Sequence, residues 1–292
     1  MRKRGYAKKN NTINRHVFIV GFISVFIGLS VLFPANMMAQ GDLLIIPRRV
    51  VFEGKKRSQE INLANSGNDT ATYAISIVQM RMKEDGGFEA IDQPDSGQNF
   101  ADKNIRYFPR KVTLGPKEAQ TVKLQLTRTD QLTPGEYRSH IYFRAEPKRK
   151  PLGEKEEVID TTAITVRIVP VFGITIPVII RWGECEAKVA LSDLTLGMVK
   201  DTIPRLKMAL NRTGNISVYG DITVDYISPQ GKTQVGIAKG VSVYTPNTVR
   251  QFQLDLDNSK GINYRTGKLH IVYSDETDNK SVKLAEGEIL LY

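Results

Sequence analysis

The 292-residue sequence predicts an all-β protein of two sandwich domains behind an N-terminal export signal. Three observations lead there. Apolar residues alternate with polar ones in short runs along nearly the whole chain, turn-forming clusters separate those runs, and no stretch between residues 43 and 147 keeps a helical period for three turns.

The first 39 residues stand apart. Arg2, Lys3, Arg4, Lys8, Lys9 and Arg15 precede the uncharged run "VFIVGFISVFIGLSVLF" at 17 to 33, and small residues follow in "PANMMAQGD". A basic head before an apolar core is the layout of a secretory signal peptide, with cleavage expected after Ala39; an uncleaved anchor is the alternative. Removal takes away six positive charges and no acidic ones, so the formal net charge of +10 falls to +4. A mildly basic remainder gives no support to nucleic acid as a partner. Cys185 is the only cysteine, so an exported chain of this kind has no internal disulfide and is held by core packing; the thiol itself reads as a small buried hydrophobe.

The N-terminal domain is expected over 40–177. Its strands announce themselves as Ile61/Leu63, Tyr73/Ile75/Ile77, Val122/Leu124/Leu126 and Ile141/Phe143/Ala145, each alternating with polar neighbours. The turns between them are "NSGND" at 65 to 69, "EDGG" at 84 to 87, "LGPKE" at 114 to 118 and "LTPGE" at 132 to 136. A charged segment, "KRKPLGEKEE" at 148 to 157, reads as an exposed loop. It leads into "VIDTTAITVRIVPVFGITIPVII" at 158 to 180, a very long extended segment with apolar residues on both faces toward its end. Such a strand needs partners on each side or along an edge, and an edge left open is a binding surface for another chain's strand.

The C-terminal domain is expected over 178–292. Leu206/Met208/Leu210, Ile222/Val224/Tyr226, Phe252/Leu254/Leu256 and Leu269/Ile271/Tyr273 repeat the two-residue period, and "NRTGN", "SPQGK", "TPNT" and "SDETDN" supply turns. Frequent short strands without interleaved helices point to two immunoglobulin-like β-sandwiches, with a barrel as the alternative for either half.

Motifs for catalysis do not emerge. Beyond His16 in the signal, the histidines are His140 and His270, and no pair has metal-ligand spacing. His140, on the face of Tyr142 and Arg144, reads as a surface or half-buried strand residue. There is no nucleophile elbow, phosphate-binding glycine loop or dinucleotide fingerprint. The chain reads as a non-enzyme needing no cofactor and no metal. The sequons at Asn68, Asn211, Asn215 and Asn279 read as turn chemistry.

The stretch "LLIIPRRVVFEG" at 43 to 54 sets Arg48 and Arg49 into an otherwise apolar strand. Neighbours on a strand point to opposite faces, so Arg49 should share a face with Ile45 and Val51, and Arg48 with Val50 and Phe52. The order "RVVFEG", "SQEINLANSGND", "FPRKVTLGPKEAQTVKLQL", "LTPGEYRSHIYFRAEP" and "LNRTGNISVYGDI" resembles the PapD-like periplasmic chaperones of pilus and fimbria assembly, over roughly residues 43 to 227. The resemblance implies two sandwiches meeting like a boomerang in the periplasm of a Gram-negative bacterium. Its partners would be pilin-like or surface-structure subunits and an outer-membrane assembly protein, with a self-capping homodimer when idle.

It further implies donor-strand complementation by Ile164, Val166 and Ile168, and a basic anchor for the subunit's C-terminal carboxylate at Arg49. The anchor's second cation, a lysine in the family, falls on Val169, with Arg167 the nearest positive charge. The family's arginine before the linker falls on Gly173, and its acidic residue in the "GEYRSHIYF" strand falls on Arg138. The competing readings are a two-domain structural or adhesive surface module and, more remotely, a carbohydrate-active enzyme, for which no close carboxylate pair shows in the sequence.

Overall fold

The computed structural model describes residues 43–147, 171–200, 202–259, 261–277 and 280–292, with the side chains of 276–280 left aside. The expected signal peptide at 1–39, Arg167 and the donor residues Ile164, Val166 and Ile168 lie outside this set. Within it the strands are β1 (Leu43–Ile46), β2 (Val50–Phe52), β3 (Ser58–Asn65), β4 (Ala71–Val78), β5 (Met80–Met82), β6 (Phe88–Ala90), β7 (Ile105–Phe108), β8 (Lys111–Leu114) and β9 (Ala119–Leu126). They continue with β10 (Gly135–Glu146), β11 (Gly173–Trp182), β12 (Ala187–Val199), β13 (Ile203–Gly214), β14 (Val218–Ser228), β15 (Gly231–Val243), β16 (Val249–Asp255), β17 (Gly267–Thr277) and β18 (Lys280–Leu291).

The first sandwich packs a sheet of order β1-β3-β9-β7 against one of order β2-β11-β10-β4-β8. Alternation puts Ile61, Leu63, Val122, Leu124 and Phe143 into the space between them with no exposure. Fully burying side chains of this size contributes about 1.5–3 kcal/mol each. The asparagine-rich turn after β3 is held by Asn65, itself buried: its Nδ2 donates to Leu114 O (3.1 Å) and Asp69 O (2.7 Å), and its Oδ1 accepts from Gly67 N (3.0 Å). The second sandwich packs β12-β13-β16 against β15-β14-β17-β18 around Leu206, Leu210, Ile222, Leu269, Ile271 and Tyr273. The expected fold class, all-β with two sandwiches, is the one observed.

Two expectations change. The opening segment is not one strand: β1 pairs with β3 in one sheet and β2 pairs in parallel with β11 in the other, so Pro47–Arg49 carries the chain from sheet to sheet. Face-sharing cannot run through that crossing. Ile45 belongs to the first core, whereas Val51 packs against a separate cluster of Met82, Ile179 and Tyr244. The domain boundary at 177/178 also falls inside an element. β11 pairs with β10 from Gly173 through Trp182, and Val178 and Ile180 fill the first core, so the link between sandwiches is 183–186.

Candidate functional site

Three neighbouring strands of the first sandwich are buried on both faces. Val50 and Phe52 of β2, Val178 and Ile180 of β11, and Ile141 and Phe143 of β10 face the first core. The reverse faces carry Arg49 and Val51, Ile179 and Arg181, and Glu136, Arg138 and His140, and they meet residues of the second sandwich. Period-two alternation therefore aims a row of ionisable groups at the junction.

At one end of this junction the terminal guanidinium nitrogens and the carboxylate are paired, while Arg138 Nε, Arg181 Nε and His140 Nδ1 are buried without a hydrogen-bond partner. Glu136, 2% exposed, accepts from Ser217 N at 2.9 Å, from the Ser217 hydroxyl and from Thr245 Oγ1 at 3.3 Å. Arg181 Nε lies 3.7 Å from Glu136 Oε2, an ion-pair separation too long for a hydrogen bond, while its Nη2 donates to Ser217 O at 3.0 Å. Arg138 donates to Met80 O at 3.2 Å and to Thr245 O at 3.1 Å, with its guanidinium 4.7 Å from the centre of the Tyr244 ring. Burial pushes the Arg138 pKa down, opposed by Tyr244 and Glu136. His140 is 2% exposed, not the surface or half-buried residue expected, and sits edge-on to Phe88 at 5.3 Å. Burial and then the Arg138 charge drive its pKa down to about 3. The β5–β6 hairpin closes this side: Asn247 Nδ2 donates to Met82 O (2.9 Å) and Gln251 N to Glu84 O (2.7 Å).

The other end holds Arg49. Its Cζ stands 4.8 Å from the centre of the Tyr219 ring, and its Nε and Nη2 are buried without a hydrogen-bond partner. Nearby, Arg250 donates through Nη1 to Ser242 O at 2.6 Å and leaves its buried Nε unpaired. Burial raises the pKa of Tyr244 and of Tyr273, and in both the Arg49 charge works against that rise. A guanidinium removed from water with idle donors is costly unless an acceptor arrives, and a carboxylate matches its planar fork. Arg48, by contrast, is exposed.

The ionic groups of the junction stand elsewhere than the positions read from the resemblance. The pairing of Val50 with Val178 runs Arg49 toward Pro177, eight residues beyond Val169, so no cation of β11 stands opposite Arg49. Arg181, eight residues beyond Gly173, stands beside the buried carboxylate of Glu136, two residues before Arg138. Gly173 has a different reason: a Cβ there would come within 2.2 Å of the Tyr142 ring. Glu136, Arg181, Tyr219 and Arg250 escaped sequence reasoning, although the alternation Glu136, Arg138, His140 on a face opposite apolar residues hinted at a buried polar row. Cys185 is half-buried in the link, with its thiol against Trp182 O (3.4 Å) and its pKa raised by burial. Asn215 does act as turn chemistry, accepting from Glu186 N and donating to Glu184 O.

Next to this junction β11 has an open side. β2 covers only Val178–Ile180, so among the described residues nothing pairs with the other edge of 173–177. Phe172 and Ile174 are 50% and 38% exposed, and Leu44 and Ile46 of β1 are exposed as well. No group of three or more metal-ligating side chains occurs among the described residues, and no helix there is long and apolar enough to cross a membrane.

No protein-family model and no curated protein matches the chain. Solved structures do. The YadV chaperone is 13% identical, with 86% of this chain and all of that one covered and a TM-score of 0.43. A chain of the CsuC–CsuE chaperone–tip adhesion subunit pre-assembly complex from Csu pili of Acinetobacter baumannii is 12% identical, covering 83% and 98%, with a TM-score of 0.43. A chain of the Salmonella enterica SafA pilin complex with the SafB chaperone is 12% identical, covering 85% and 96%, with a TM-score of 0.40. What the junction can bind follows from its own residues and not from these likenesses.

Proposed function

We propose that the protein is a periplasmic chaperone that caps the unfinished sheet of a secreted pilus or surface subunit and hands it to an outer-membrane assembly protein. The observation that carries this reading is Arg49: a half-buried guanidinium with two idle donors, held on an aromatic ring beside a strand edge that is unpaired among the described residues. An extended segment of a subunit would add to the 173–177 edge through its main chain, with Phe172 and Ile174 offering side chains. Its C-terminal carboxylate would reach Arg49. The expected donor residues Ile164, Val166 and Ile168 would extend the same strand upstream.

The test is binding of a pilin-like subunit that lacks one strand of its own sheet. Arg49→Ala should weaken binding about tenfold to a hundredfold, the range of a charge-assisted hydrogen bond of about 1.5–3 kcal/mol. Binding equal to that of the unaltered chain would rule out the carboxylate anchor. Amides on the outer edge of 173–177 should also exchange quickly in the free protein and slowly in the complex.

A further inference from the structure

We propose that Arg250, from the second sandwich, is the other arm of the anchor, so that one carboxylate is clamped between an arginine of each domain. This deepens the chaperone reading and rests on it. The first ground is that, among the described residues, the other candidates around Arg49 are already engaged or uncharged. Pro177 occupies the place on β11 nearest Arg49 and brings no charge. Arg138 spends both terminal nitrogens on Met80 and Thr245 carbonyls and is 2% exposed. Arg181 is taken up by Ser217, Glu136 and Glu53. Arg250 bonds through Nη1 alone, whereas Arg138 and Arg181 leave only Nε over.

The second ground is placement. Tyr219, whose ring carries Arg49, is the direct cross-strand partner of Ser242, whose carbonyl holds Arg250. Directly paired residues lie about 4.5–5.5 Å apart. Tyr273 stands at the same place, donating its hydroxyl to Val241 O at 2.8 Å, and both arginine charges act on it. The third ground is preorganisation. Gly86 lies against the Arg250 guanidinium so closely that a Cβ would fall 2.3 Å from Nη2, and the Ser242 bond fixes the other side. A fork held this way loses little freedom on binding. Burial pushes the Arg250 pKa down, opposed by Tyr273, Tyr244 and Asp85.

The experiment follows arginine Nε signals by NMR in the full mature chain during titration with N-acetylglycine, a minimal peptide C-terminus, and with its amide. The Arg49 and Arg250 signals should move together and saturate with the acid alone. Arg250→Gln should weaken the affinity read at Arg49 about tenfold, and Arg250→Lys should recover part of it by restoring charge without the fork. The lysine variant keeps the apolar stem, guarding against a loss caused by misfolding. If Arg250→Gln changes affinity less than twofold while Arg49→Ala abolishes it, the two-arm clamp is wrong and the Arg49 anchor stands. If acid and amide behave alike, or if neither variant weakens binding, the anchor falls with the clamp.

Discussion

Two ends of one junction carry the same residue type and treat it differently. Around Glu136, two arginines are spent on a carboxylate and backbone carbonyls, and the protein supplies its own acceptors. Around Arg49 and Arg250 the arginines are half-buried, and Arg49 leaves two buried donors, Nε and Nη2, without an acceptor, against a single Nε in each of Arg138, Arg181 and Arg250. Buried charge that is paired holds two sandwiches in register; buried charge left unpaired is a cost that folding alone does not repay. On the proposed function, the difference separates a structural fastening from a place built for a ligand.

Breaking the matched end should have the largest effect. Glu136→Ala removes the acceptor for Ser217 and Thr245 and the counter-charge of Arg181, and should lower stability by about 3–5 kcal/mol in urea unfolding. A loss under about 1 kcal/mol would mean that the fastening is decorative. The next test uses His140. Its folded pKa of about 3 lies below the ordinary value of 6.5, so the unfolded chain takes up the proton first. Its contribution is therefore whole above about pH 6.5 and is lost as pH falls toward 3, at about 1.4 kcal/mol per pH unit. Comparing urea midpoints of the unaltered chain and His140→Phe across that window isolates the effect; parallel pH profiles would refute it.

The open end should respond the other way. Arg49→Ala should leave stability within about 0.5 kcal/mol, since no partner is stranded, while subunit binding drops as stated above. Loss of stability comparable to that of Glu136→Ala would erase the contrast between the ends. Arg48→Ala is the smallest: exposed and outside the junction, it should shift neither thermal unfolding nor binding measurably.

The strands were easy to read because burial on one face imposes period two. Every core residue of the Ile61/Leu63, Val122/Leu124/Leu126, Leu206/Met208/Leu210 and Leu269/Ile271/Tyr273 runs is buried in the structure. The same period leaves the position along the strand open. A shift of eight residues along the long apolar segment is even, so it returns every side chain to its face and leaves the pattern unchanged. Val169 and Pro177, or Gly173 and Arg181, are equivalent by alternation; only pairing with β2 and the approach of Arg181 to Glu136 tell them apart. Arg250 was invisible for another reason: nothing near "TVRQF" in the chain reports that it lies beside Tyr219 and Ser242, residues brought close by the sheet.

The amino-acid sequence by itself determined an all-β chain of two sandwiches, the turns that divide its strands, and the oddity of an arginine pair beside apolar neighbours. These are local properties, written in alternation and turn chemistry within a few residues. Tertiary structure alone decided the strand register, the crossing over Pro47–Arg49 that leaves Arg48 exposed and Arg49 at the junction, and which arginines find acceptors. Those depend on residues far apart in the chain meeting across sheets, and a period of two carries no record of which even step brings them together.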